Sequence, residues 1–133
     1  MMRFLLIALM TLGLVGPLRA QSDDITGVIG GQIEALKRDD FATAFGFASP
    51  VIKRMFGTPE RFGEMVQQRF PMVWRPADVQ YLEQRQVGGL TYQTVLIRDG
   101  AGGFHTLEYE MIPVAGGWQI NGVRFLQAPP VAA

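Results

Sequence analysis

The amino-acid sequence predicts an α+β domain in which N-terminal helices pack on one face of a curved four-stranded antiparallel sheet. Up to Pro71, apolar residues recur at the i, i+3, i+4 spacing of helices, and from Asp78 onward the spacing changes to two. The segments after Asp78 are joined by short glycine-rich stretches, which favours hairpins between consecutive strands. Helices first and strands second are typical of an α+β layer.

The first 20 residues have the composition of a secretory signal peptide. Arg3 precedes an apolar stretch from Phe4 to Gly16, and small Ala20 precedes the expected cleavage site. This stretch is shorter than the roughly 20 apolar residues that a membrane-spanning helix needs. We therefore expect a periplasmic or secreted protein with no membrane span after processing near Ala20.

Capping residues mark the expected helix starts in the single domain predicted for residues 21–128. Asp23 and Asp24 precede an apolar pattern that runs from Ile25 to Leu36. Gly30 and Gly31 inside this pattern indicate either a close approach by another element or a weak helix. Three more starts are predicted where a capping side chain precedes an apolar segment, at Asp39-Asp40, Ser49-Pro50 and Thr58-Pro59.

Four strands follow the helices. Their predicted ranges are Val79–Val87, Leu90–Arg98, Phe104–Val114 and Trp118–Gln127. Residues 129–133, which begin with two prolines, are expected to form a disordered tail.

The turn lengths set the strand register, which sorts the side chains between two faces. With short turns throughout, every Asp, Glu, Lys and Arg of the strands falls on one face, where Glu108 lies opposite Arg124. Because burying unpaired charges is costly, we expect the helices to cover the other face. That covered face contains an apolar row of Leu82, Val95, Leu107 and Phe125.

A bulge at Asn121-Gly122 is an alternative that the sequence leaves open. In that case Trp118 and Ile120 would join the covered face instead of the charged one.

Polar residues on the covered face form a candidate pocket for a small neutral ligand. These residues are Gln84, Gln93, His105, Tyr109 and Asn121. Typical ligand pockets likewise contain a few polar groups that orient the ligand. The structural alternative is that the amides satisfy groups within the fold and that His105 lies at a strand end near a loop. A candidate interface consists of apolar residues at one end of the charged face: Val87, Leu90, Ile112, Trp118 and Ile120.

Composition argues against several classes of function. The chain has no cysteine, which excludes disulfides and a lipid anchor, and its single histidine argues against a zinc site. No calcium loop or phosphate-binding loop is present, so no cofactor is expected. Without Arg3 and Arg19, ten basic residues face 12 acidic ones, a balance that does not favour nucleic-acid binding.

Two stretches resemble the nuclear transport factor 2-like superfamily, which includes the ketosteroid isomerases. They are Asp-Asp-Phe-Ala-Thr-Ala-Phe at 39–45 with Ala48-Ser49-Pro50, and Gly-Trp-Gln-Ile-Asn-Gly-Val-Arg-Phe at 117–125. More narrowly, residues 25–128 are similar to a family of exported, mostly proteobacterial proteins of uncharacterised function within it. The resemblance implies a cone of helices over the curved sheet, and superfamily members commonly dimerise through the sheet.

The same resemblance implies either ligand binding or catalysis by an Asp or His base inside the cone. Because no Asp or Glu lies on the predicted covered face, the leading hypothesis is a non-catalytic binding or interaction module with a small polar-lined cavity. One alternative is a ketosteroid isomerase-like enzyme that uses His105 and Tyr109, which must then share one cavity. Another is a structural envelope protein that acts through a homodimer of sheet faces.

Overall fold

The computed structural model describes residues 16–126 and confirms the α+β class. Residues 1–15, with most of the predicted signal peptide, and the predicted tail lie outside the described residues. The helices are α1 (Gly16–Lys37), α2 (Phe41–Gly46), α3 (Pro50–Phe56), α4 (Pro59–Arg69) and α5 (Pro71–Trp74). The antiparallel strands are β1 (Pro76–Val87), β2 (Leu90–Asp99), β3 (Phe104–Val114) and β4 (Gly117–Phe125), in the order β1-β2-β3-β4. Within residues 16–126, no helix combines the length and apolar character that crossing a membrane requires.

Three of the four predicted helix starts are confirmed by capping hydrogen bonds. The side chains of Asp40, Ser49 and Thr58 each accept from the backbone N–H three residues further on, at 3.2, 3.3 and 3.2 Å. The start predicted at Asp23 and Asp24 is wrong, because α1 is continuous from Gly16. The residues before these aspartates are mostly good helix formers, so the helix extends through them and both aspartates lie inside it.

The predicted register is confirmed between β2 and β3, where Val95 lies opposite Leu107 and Gln93 opposite Tyr109. Both Val95 and Leu107 are fully buried beneath the helices. The helices therefore cover the face of the sheet opposite the charged one, as predicted.

In β1 a bulge shifts the predicted faces. Tyr81 pairs with Val95 and Gln84 with Gln93, so Leu82 and Glu83 together face a single residue of β2. Tyr81 consequently lies on the covered face, as does Val79, and Gln80 and Leu82 do not. Leu82 is 46% exposed, so its place in the predicted apolar row is wrong.

In β4 the alternative with a bulge at Asn121 is the one observed. Glu110 pairs with Gly122 and Met111 with Ile120, which leaves Asn121 as the extra residue. Ile120 and Trp118 therefore lie on the covered face. The predicted interface is split by this bulge, since only Val87, Leu90 and Ile112 of its members remain on the open face.

The glycines of α1 allow close contacts with neighbouring elements. A Cβ atom at Gly30 would lie 3.1 Å from the Tyr81 hydroxyl, and one at Gly31 would lie 2.8 Å from the Phe47 ring. These approaches account for both glycines despite their cost to helix stability.

Candidate functional site

A cavity of about 380 Å³ lies between the helices and the strands β3 and β4. Its volume falls within the roughly 300–1,000 Å³ of small-molecule sites. The lining is mostly apolar and comes from α1, α3, α4, α5, β3, β4 and the residues between them: Gln32, Ala48, Ile52, Met55, Phe56, Phe62, Met65, Val66, Arg69, Phe70, Val73, Tyr109, Ile120, Gly122 and Val123. The polar-lined cavity that we expected is thus an apolar cavity with three polar side chains.

Aromatic packing and the bulge of β4 shape this cavity. The ring of Phe62 contacts those of Phe45 and Phe56, with centroids 5.4 and 6.0 Å apart. At the other end Phe70 stacks on Phe125 at 5.0 Å. These contacts join α4 to α2 and α3, and they fix the end of α4 against β4 beside the cavity.

Tyr109 is the most unusual residue of the lining. Its side chain is fully buried, and its hydroxyl is the one buried side-chain polar atom of the described residues without a hydrogen-bond partner. Burial raises the pKa of this phenol well above its ordinary value, so the hydroxyl stays protonated. An unpaired buried hydroxyl costs about 1–3 kcal/mol, which a hydrogen bond donated by this hydroxyl to a bound molecule would recover.

The other two polar side chains of the lining occupy different depths. Gln32 is buried, and its carboxamide nitrogen donates to the Ala44 carbonyl oxygen at 3.1 Å. Arg69 is exposed and belongs to the last turn of α4. The cavity therefore has neutral polar groups inside and a cation at its rim.

Of the five predicted pocket residues, only Tyr109 lines the cavity. Gln93 is buried, but its carboxamide holds the bulge of β1: the nitrogen donates to the carbonyls of Leu82 and Glu83 at 3.1 and 3.3 Å. Its oxygen accepts from the side chain of Gln84 at 3.0 Å. The amides of Gln84 and Gln93 therefore satisfy groups within the fold, which is the structural alternative stated above.

Asn121 also has a structural role. Its side-chain oxygen accepts from the Ser49 hydroxyl at 2.7 Å, and its nitrogen donates to the Glu110 carboxylate at 2.6 Å. Because the Ser49 hydroxyl also caps α3, Asn121 fixes the start of that helix to the bulge of β4.

His105 lies at the start of β3, away from the cavity lining. Its Nε2 lies 2.7 Å from the Asp99 carboxylate, which also accepts from the backbone N–H groups of Ala101 and Gly103. The hydrogen bond with His105 is the main cause that lowers the pKa of Asp99. Four residues along a strand separate His105 from Tyr109 by about 13 Å, so the two do not meet in one cavity.

Glu108 is a buried acid on the open face. The predicted pair with Arg124 is confirmed at 2.8 Å, and Arg85 of β1 donates a second set of bonds, the shorter at 2.7 Å. Only 2% of its side chain is exposed; burial alone would raise its pKa, but the hydrogen bonds from both arginines outweigh burial and lower it. The contribution of Arg85 was missed, although alternation placed it on this face.

Among residues 16–126, no three His, Asp or Glu side chains cluster in a way that could hold a metal ion.

A second pocket of about 370 Å³ lies between α1 and the turn joining β3 to β4, where Trp118 contributes to the lining. The rest of that lining consists of Asp24 and Val28 of α1, Gly46 and Phe47, Gln119 and the residues 114–117 around the turn.

Comparison with protein families gave one match. The family is described as a domain of unknown function (DUF4864), and its sequence model matches residues 18–133. Comparisons with curated proteins and with solved structures gave no match.

Proposed function

Since the chain belongs to the family described as a domain of unknown function (DUF4864), we propose from its cavity that it is an exported binding module. Its ligand is a small, largely apolar molecule that places one hydrogen-bond acceptor against the Tyr109 hydroxyl. Export is part of the proposal and is supported by the signal-peptide composition of the first 20 residues.

The observation that carries this proposal is the apolar cavity, whose lining includes Tyr109, a fully buried residue with an orphaned hydroxyl. Ligand sites are mostly apolar, with a few polar groups that orient the ligand. A protonated phenol is a hydrogen-bond donor, so the matching group on the ligand is a carbonyl, ether or hydroxyl oxygen.

A binding module is preferred over the isomerase-like alternative because of where His105 lies. That alternative requires His105 and Tyr109 in one cavity, and His105 instead pairs with Asp99 at the strand end. The charged groups nearest to Tyr109 along β3, those of Glu108 and Glu110, point to the opposite face of the sheet.

The proposal is tested by binding of the fluorescent ketone prodan, an apolar molecule with one strong acceptor. Purified protein should bind prodan and shift its emission to shorter wavelength. Tyr109→Phe should weaken the affinity about tenfold, because it removes one hydrogen bond from a dry site. Val123→Trp, which fills the cavity from the residue opposite Tyr109, should abolish binding.

Tyr92→Phe is the matched control. It removes a hydroxyl from β2 on the open face, outside the cavity lining, and should leave the affinity for prodan unchanged. No binding, or equal binding by all four proteins, would overturn the proposal.

A further inference from the structure

We propose that the outer end of the ligand is a carboxylate held by Arg69, so that the natural ligand is an amphiphilic monocarboxylate whose apolar chain also carries the acceptor for Tyr109. This inference rests on the proposed function of the cavity and adds the chemical class of the ligand.

Among the residues that the structure describes, Arg69 is the charged one in the cavity lining, and no acidic side chain lines the cavity. The ion pairs observed within residues 16–126 engage the guanidinium groups of Arg38, Arg75, Arg85 and Arg124, but not that of Arg69. The guanidinium is therefore available to a charge brought by a ligand.

The distribution of polarity across the cavity sets the orientation of such a ligand. Tyr109 and Gln32 are buried, whereas Arg69 and Met55 are exposed, Met55 by 66%. The inner lining is apolar and neutral, so a charge there would be desolvated without a partner. An anionic group at the Arg69 rim stays partly hydrated while the chain attached to it enters the cavity.

A single arginine neutralises the one negative charge of a carboxylate, whereas a phosphate dianion would keep a second charge without a partner. The planar guanidinium also donates two parallel hydrogen bonds to the two oxygens of one carboxylate. The flexible side chains of Met55 and Met65 in the same lining can adapt to an alkyl chain.

Paired ligands that differ only in the head group test this inference. Decanoate and 1-decanol, both below their aggregation concentrations, compete with prodan for the purified protein. The wild type should bind decanoate about tenfold more tightly than 1-decanol, and added salt should reduce this preference because rim charges are screened. Arg69→Gln should remove the preference by weakening decanoate alone, and Arg69→Lys should restore part of it.

Arg61→Gln is the control, since Arg61 is exposed on the same helix but does not line the cavity. It should keep the wild-type preference. Equal binding of both compounds by the wild type, or an unchanged preference in Arg69→Gln, would overturn the carboxylate while prodan binding upholds the cavity. If neither compound nor prodan binds, the proposed function fails as well.

Discussion

The two faces of the sheet bury polar groups equally deeply, but they satisfy them differently. Glu108 and Tyr109 are neighbours on β3 that point to opposite faces, and both are buried. The carboxylate of Glu108 accepts hydrogen bonds from Arg85 and Arg124, whereas the hydroxyl of Tyr109 has no partner among the described residues. A buried polar group thus indicates a binding site when its partner is missing, and burial by itself does not.

Substitution of Gln93 should have the largest effect on stability. Among the described residues of the covered face, its side chain makes the most hydrogen bonds to the fold. Gln93→Ala leaves the carbonyls of Leu82 and Glu83 without their side-chain donor at the bulge. We expect a loss of about 3 kcal/mol in the free energy of unfolding, measured by urea denaturation. Gln86→Ala, on the same face but exposed, should cost no more than about 0.5 kcal/mol. Equal losses would show that the amide does not hold the bulge.

Substitution of Glu108 tests the open face, where we expect a smaller loss in the free energy of unfolding. Glu108→Gln removes the negative charge beneath two arginines that are themselves about half exposed, and should cost about 2 kcal/mol.

The same substitution should change the pH dependence of stability. The lowered pKa of Glu108 makes its contribution fully present above the unfolded pKa of about 4.3, and the contribution is lost as the pH falls through the folded pKa. Urea denaturation of Glu108→Gln should therefore show a weaker loss of stability below pH ~4.3 than the wild type. The exposed Glu83→Gln should retain the wild-type profile, and identical profiles for all three proteins would contradict this account.

Tyr109→Phe has the smallest expected effect on stability and the opposite sign. It removes a buried hydroxyl without a partner, so the ligand-free protein should become more stable by up to about 1 kcal/mol. The readout is the urea midpoint at constant m-value, with Tyr92→Phe as the control that should change little. A loss of 1 kcal/mol or more would mean that the hydroxyl already has a partner inside the fold.

Features that depend on nearby residues could be predicted from the sequence. The capping side chains of Asp40, Ser49 and Thr58 act within three residues, and short turns fix the register of β2 against β3. The Asn121-Gly122 pair also signals its own bulge, although it did not decide between the two arrangements.

Features that depend on residues distant in the chain could not be predicted from the sequence. The bulge at Leu82 and Glu83 is held by an amide about ten residues away, and nothing in those two residues marks it. Strand alternation placed Tyr109 on the covered face, but its missing partner and the role of Arg69 depend on how the helices sit over the sheet. Of the five residues predicted for the pocket, the cavity lining therefore includes Tyr109 but not the other four.

The short pairing of residues 47–49 with Ile120 has a consequence for how the protein avoids self-association through its strands. The backbone N–H of Ser49 donates to the Ile120 carbonyl, and the N–H of Ile120 donates to the Phe47 carbonyl, at 2.8 and 2.9 Å. These bonds occupy the outer edge of β4 at its bulge, and the bulge of β1 interrupts the opposite edge. Within residues 16–126, neither border of the sheet offers the long, regular row of free amides on which intermolecular β-aggregation depends.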